Sequence, residues 1–335
     1  MTAAETFLWF CAASSQSALP ALRIDGHVFA QANGAPWTAI ECSDFNLLGR
    51  YLTEGADAIR PVLAQRQAAG FNLLRVWTRY QGPPPFEQEI GRLLPSEHPD
   101  LYARLPAFCA LCAGYGLYLE LTAYTGGSRD DHWDRLGEGL GQMPAGTVLV
   151  ELINEADSYP HDIHVADFSP LPGVWCSHGS NGSEAVPPRP PWQYETFHTN
   201  DAFEWWRKAG HNAMELSDGS ADGTILPSHV PVLTNENTRY PDRDASLTHA
   251  FDAAAGAALL CAGSCFHSVA GKRSALWTEP ELAAAQAWAA GARAMNLRYQ
   301  HGVYRHAEEL ETAGILRAYQ RVLTDGSRET VMIRA

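Results

Sequence analysis

Positive charge is what this sequence most lacks: 24 Lys and Arg stand against 38 Asp and Glu, a formal net charge of −14. That balance argues against a nucleic-acid partner, because phosphate recognition needs clustered cations. Long apolar runs are also missing. None approaches the ~20 residues that cross a bilayer, so no membrane span is expected. The stretch Phe7 to Ala13 is apolar but short, and Glu5 precedes it where a Lys or Arg would mark a secretion signal. A soluble and cytoplasmic chain is the simplest expectation, with the compartment left open. The seven cysteines are odd in number and scattered, which speaks against a disulfide framework. Cys109-x-x-Cys112 and Cys261-x-x-x-Cys265 lie in Ala- and Leu-rich stretches and are expected to be buried thiols rather than metal ligands.

Apolar residues are plentiful. At 46% hydrophobic and 19% charged, the chain has the composition of a large folded core. Its ten Trp would mostly fill that core, although flat aromatic faces also line sugar clefts.

Punctuation along the chain marks alternating strands and helices. His27 to Gln31 reads as a strand, Asn33-Gly34 as a hairpin turn and Pro36-Trp37 as the return. Core strands are expected at 38–42, 71–77, 117–122, 148–153, 174–178, 194–197, 230–234 and 263–268. Helices are expected at 57–69, 99–114, 130–140, 201–216, 245–260 and 279–297. Pro61 is placed in the first turn of its helix, and Gly70 ends it. The segment 156–192 is long, rich in Pro, Gly and Ser, and without a helical pattern, as functional loops often are. Eight strand–helix units imply right-handed crossovers and a closed parallel sheet. The expected fold is therefore an α/β (β/α)₈ TIM barrel over residues 37–300. An N-terminal segment and β-hairpin (1–36) precede it. A small β appendage (301–335) follows, read as two strands joined at Asp325-Gly326.

Two of the strand runs end alike. Val148 to Ile153 runs into Asn154-Glu155, and Pro231 to Thr234 runs into Asn235-Glu236. A carboxylate at the mouth of a core strand is costly to bury. Glu155 would end the fourth barrel strand and Glu236 the seventh, which face each other across the barrel mouth. Two carboxyls flanking one bond are what glycoside hydrolysis requires. Taken singly, each could be a helix cap or an ion-pair partner.

These residues resemble a known pattern. Arg23-Ile-Asp-Gly-His-Val-Phe, Asn33-Gly34-Ala35-Pro36-Trp37, Gly70-Phe-Asn-Leu-Leu-Arg75-Val-Trp77, Glu151-Leu-Ile-Asn154-Glu155 and Pro231-Val-Leu-Thr-Asn-Glu236 are similar to segments of the clan A glycoside hydrolases. The closest likeness is to the cellulase- and mannanase-like family 5, over about Leu22 to Leu297. The resemblance implies a retaining, β-specific O-glycosyl hydrolase without cofactor or metal, acting on a polysaccharide or oligosaccharide. It implies Glu155 as acid/base, Glu236 as nucleophile, Asn154 on the sugar 2-hydroxyl, and Arg75 beside the nucleophile, holding it ionised. His198 matches a histidine of many relatives. The family's strand-six Tyr is not obvious here, and Tyr194 or Tyr240 would substitute. Cys265-Phe266-His267-Ser268 stands where a Trp is usual, and Ala156-Asp157 follows Asn-Glu in place of Pro. Trp77, Tyr124, Trp133 and Trp175 stand at or after strand ends, for sugar stacking or for packing. Two other functions fit parts of the sequence: a non-catalytic carbohydrate-binding barrel, and a metal-dependent hydrolase using Asp157, His161, Asp162, His164 and Asp167.

Overall fold

Each barrel strand alternates outward apolar residues with an inward series of mixed character, and this alternation decides where the site forms. The computed structural model describes residues 19–26, 28–80, 90–155, 162–179, 191–198, 224–225, 230–236, 247, 250, 254, 262–296, 302–306, 315–323 and 328–334. The chain opens with β1 (Leu22–Asp25), β2 (Val28–Gln31) and β3 (Pro36–Trp37), a small antiparallel sheet in which Phe29 pairs with Trp37. The barrel strands follow: β4 (Ala39–Ser43), β5 (Leu73–Trp77), β6 (Tyr118–Tyr124), β7 (Val148–Ile153), β8 (Trp175–Ser177), β9 (Glu195–His198), β11 (Val232–Glu236) and β12 (Gly263–Phe266). A two-residue strand, β10 (Thr224–Ile225), lies between the last three in sequence but belongs to another sheet.

The eight barrel strands form one parallel sheet in the order β8–β7–β6–β5–β4–β12–β11–β9. All eight strands expected from the sequence are there. The two edges meet, because the Gln193 and Tyr194 amides donate to the Cys176 carbonyl at 2.9 and 3.4 Å and the Cys176 amide donates to Gln193 Oε1 at 2.8 Å. This is a (β/α)₈ TIM barrel.

Around it run α1 (Leu47–Glu54), α2 (Ala56–Ala69), α3 (Leu101–Ala113), α4 (His132–Leu140), α5 (Val269–Lys272) and α6 (Glu279–Asn296). Ile40, Leu74, Val76, Leu119, Leu121, Val150 and Leu152 face this outer layer. Pro61 lies in the second turn of α2, not the first, and the helix continues through it. Gly70 caps α2 at φ 97°, with its N–H on the Arg66 and Gln67 carbonyls, and the Arg293 guanidinium fills the space a side chain would need. The first helix, α1, carries no strong punctuation in the sequence and was not expected. Of the helix expected at 245–260, Leu247, Ala250 and Ala254 are described, and each is helical. The one expected at 201–216 lies outside the described residues.

Inside, the barrel is layered. Ala39, Leu73, Tyr118, Leu149, Tyr194 and Leu233 form an apolar floor, closed from below by Phe29 and Trp37 of the hairpin. Phe29 packs edge-on against Tyr194 at 5.9 Å and Trp37 against Tyr118 at 4.9 Å. One step toward the strand C-termini, the inward positions become Glu41, Arg75, Glu120, Glu151 and Thr196, all fully buried.

Near the C-terminus, β13 (Gly302–His306), β14 (Ile315–Leu323) and β15 (Arg328–Arg334) pair antiparallel, and β10 adds to β13. The expected hairpin is therefore part of a four-stranded sheet that recruits Thr224–Ile225 from within the barrel sequence. Among the described residues no helix is long and apolar enough to cross a membrane.

Candidate active site

The C-terminal strand ends gather most of the polar residues singled out from the sequence. Asn154 follows β7 directly, is almost fully buried, and its backbone N–H donates to the Tyr124 carbonyl at 2.8 Å. Glu155 comes next with φ 45°, in the left-handed region where a non-glycine residue is strained. Its carboxylate is about one-seventh exposed (15%) and its Oε1 lies 3.0 Å from Nδ1 of buried His198, the last residue of β9.

Glu236 ends β11, and the pairing of that strand decides its position. Val232, Leu233 and Thr234 pair with Glu195, Thr196 and Phe197, but the register then shifts, and Glu236 pairs with His198. Without that irregularity Asn235 would take the position beside His198, because one residue of slip exchanges the two faces of a strand. The strand register thus puts Glu236 next to the histidine whose ring meets Glu155.

Arg75 occupies the centre of the layer beneath. Its Nη2 donates to Glu151 Oε2 at 2.6 Å and to Asn154 Oδ1 at 2.6 Å, and its Nε is 3.8 Å from Glu120 Oε2. Glu151 also accepts from Thr122 Oγ1 and Thr196 Oγ1, each at 2.8 Å. Glu120 accepts from the Tyr194 hydroxyl at 2.8 Å, so Tyr194 serves the barrel interior. Burial pushes the Glu41 carboxyl well up, with Glu120 beside it adding to the effect. Burial raises Glu120 as well, opposed by Arg75. Sequence reasoning did not single out Glu41, Glu120 or Glu151. The signal was present: each is a lone acid in the middle of a β-branched or aliphatic strand run.

The aromatic residues divide differently from expectation. Trp77 is buried and stacked on Phe45, with ring centroids 3.9 Å apart and an interplanar angle of 7°. Tyr124 has no exposed face: its ring packs on His132 and Phe168, and its hydroxyl donates to Asp130 Oδ1 at 3.3 Å. Its ring lies in the outer layer with Ala123, which removes it as a stacking platform. Trp133 is a core residue of α4, with Nε1 donating to the Ser169 carbonyl. Trp175 begins β8 at the floor of the barrel, where its Nε1 donates to the Leu22 carbonyl, away from the strand C-termini. Tyr240, Asp157 and His161 lie outside the described residues. Asp162 accepts from the Arg129 amide and Asp167 pairs with the Arg129 side chain at 3.5 Å. Among the described residues no group of three or more His, Cys, Asp or Glu is arranged to hold a metal. Cys109 and Cys112 are buried in α3, and burial pushes the Cys109 thiol up to about 12.

At the end of β12, where a Trp would be usual, His267 is buried. Its Nδ1 lies 2.8 Å from Ser43 Oγ and its ring 5.2 Å from that of Phe45.

Solved structures share this fold. A glycoside hydrolase family 5 protein from Bacteroides vulgatus ATCC 8482 superposes with a TM-score of 0.59 at 11% identity, covering 92% of this chain and 78% of its own. A structure described as a glycoside hydrolase gives 0.61 at 11% identity, with 92% and 81% covered. The endo-1,4-beta-mannanase from Rhizomucor miehei gives 0.52 at 12% identity, with 83% and 100% covered. The fold is glycoside hydrolase family 5-like. No family model matches the sequence, and no curated protein matches it. In this family 5-like barrel the Asn-Glu pairs sit at the ends of the fourth and seventh barrel strands, β7 and β11.

Proposed function

We propose that this chain is a retaining glycoside hydrolase of β-linked polysaccharides or oligosaccharides, with Glu155 as acid/base and Glu236 as nucleophile. The observation that carries the reading is the register shift in β11, which pairs Glu236 with His198 while His198 is hydrogen-bonded to Glu155. The strand irregularity before Glu236 and the left-handed backbone of Glu155 both fall at residues that meet His198, and functional sites are where such strain collects.

In this reading Glu155 protonates the glycosidic oxygen as the bond to the anomeric carbon breaks. The carboxylate of Glu236 attacks that carbon to form a glycosyl ester. Glu155 then takes a proton from the water that hydrolyses the ester. His198 holds Oε1 of Glu155 and so orients the carboxyl group that delivers the proton. Asn154 has its Oδ1 on Arg75, so its amide nitrogen remains to donate to the sugar 2-hydroxyl. Arg75, with Glu151 and Asn154, supports the site from below, and Trp77 and Tyr240 complete the proposed sugar-binding set. The mannanase likeness favours a β-linked hexose polymer, with no metal or cofactor required.

The test uses aryl β-glycosides with good and poor leaving groups. Glu236→Gln is expected to abolish turnover of both, because the amide cannot attack. Glu155→Gln is expected to lose ~10²–10⁴-fold on poor leaving groups, which need the proton, and far less on good ones. Equal losses in the two variants on every substrate would remove both residues from the chemistry.

A further inference from the structure

The hydrogen bonds beneath the site identify one more residue on which its geometry depends. Glu151 lies in the middle of β7, fully buried, and no part of it reaches the cleft. Its two oxygens collect three donors from three other strands: Arg75 Nη2 on β5, Thr122 Oγ1 on β6 and Thr196 Oγ1 on β9. A buried carboxylate is tolerated only when paired and hydrogen-bonded, and this one is both. Thr196 is in turn 3.3 Å from Ser177 Oγ on β8, so Glu151 is tied across the seam where the barrel closes.

The consequence lies at Asn154. Arg75 Nη2 carries two hydrogens. One is given to Glu151 and the other to Asn154 Oδ1, each at 2.6 Å. A guanidinium only donates, so the amide of Asn154 must turn its oxygen toward Arg75 and its nitrogen away. Holding Nη2 in place therefore fixes which end of the amide is offered to a ligand.

We infer that Glu151 is a positioning residue: through Arg75 it orients the amide of Asn154 as the donor that recognises the 2-hydroxyl of the sugar. The inference rests on the glycosidase reading above. It shifts part of the role of Arg75 from ionising a carboxylate to aligning an amide. Glu120 lies 3.8 Å from Nε while Glu151 takes Nη2, so the guanidinium is held between two carboxyl groups and has little freedom to turn. A planar fork can make these contacts together, and a lysine point charge cannot.

The experiment compares Glu151→Gln, and separately Thr122→Val with Thr196→Val, against wild type. The valines remove the hydroxyl donors and keep the side-chain shape, which provides a folded variant if the glutamine protein does not fold. The substrates are aryl β-glycosides with a 2-hydroxyl and their 2-deoxy counterparts. For the 2-hydroxyl substrates kcat/KM is expected to fall on the order of 10²-fold in Glu151→Gln, as for a misplaced binding group. The 2-deoxy substrates are expected to change little. Equal losses on the two series would mean that Glu151 merely supports the barrel, and unchanged ratios would likewise overturn the inference. A wild type inactive on every aryl glycoside would sink the glycosidase reading instead. The crystal structures of the same variants then decide the Glu151 link. Asn154 leaving Arg75, or reversing its amide, supports it. Asn154 Oδ1 staying on Arg75 Nη2 overturns it.

Discussion

Glu155 combines two properties that rarely coincide by accident. Its side chain meets a buried histidine at 3.0 Å, and its backbone has φ 45°. For an L-residue with a Cβ the left-handed conformation costs ~1–2 kcal/mol, and glycine is spared this. The protein therefore carries a destabilised residue where the proposed proton donor stands. The expected outcome is an inverted ranking: Glu155→Gly should be more stable than Glu155→Ala by about 1 kcal/mol in denaturant unfolding, although glycine normally loses such comparisons. Both lack the carboxylate and should be equally inactive on poor leaving groups. Alanine as the more stable of the two would contradict the left-handed backbone. Buried His132 shows the opposite strategy. Burial lowers it to about 4, so it stays neutral; it meets the Tyr102 hydroxyl at Nδ1 (2.7 Å) and Thr78 Oγ1 at Nε2 (3.0 Å).

At the scale of elements, the weakest join in the barrel is the seam between β8 and β9. Ser177 to Thr196 is one bridge across it, and His178 to Glu195 is another, with Nε2 3.3 Å from Oε2. Burial raises Glu195 to about 7, against the pull of His178. The folded state thus holds a proton on Glu195 that the unfolded chain releases near its ordinary value of 4.5. Between those two values the native state binds more protons, so stability contributed by this group falls as pH rises. His132, lowered on folding, acts in the reverse sense below 6.5, so the total curve mixes the two. The clean measurement is a difference. Glu195→Gln should gain in Tm relative to wild type as pH rises from 4.5 to 7, and a gap that stays constant would mean Glu195 does not titrate on folding. The eight strands were legible because aliphatic and β-branched runs alternate with helical patterns between Gly and Pro. Helix α1 was not, because Gly55 alone separates it from α2. The strand β13 and the pairing of Thr224–Ile225 were not legible either, since two or five residues carry too little pattern to announce a partner distant in sequence.

For the whole molecule, the chain divides the barrel interior by chemistry along its axis. Aromatic and aliphatic residues close the floor with the N-terminal hairpin, ion-paired acids and Arg75 fill the middle, and the proposed catalytic groups stand at the top. The paired Asn-Glu runs made the candidate site visible in the sequence. The supporting acids were hidden, because a lone Glu within a strand run gives no sign of which strand it will face. Tyr124 and Trp175 were misplaced for a related reason: position near a strand end does not specify which end it is, or which face the side chain takes. The central claim, that Glu236 forms a covalent bond to the sugar, has a direct test. The full chain would be incubated with activated 2-deoxy-2-fluoro β-glucosides and β-mannosides, which slow release of the glycosyl ester, and then digested for peptide mass mapping. The account predicts a mass increase of one fluoroglycosyl group on the peptide containing Glu236, absent in Glu236→Gln. A label on any other carboxylate, or turnover of β-glycosides with inverted anomeric configuration and no label at all, would contradict it.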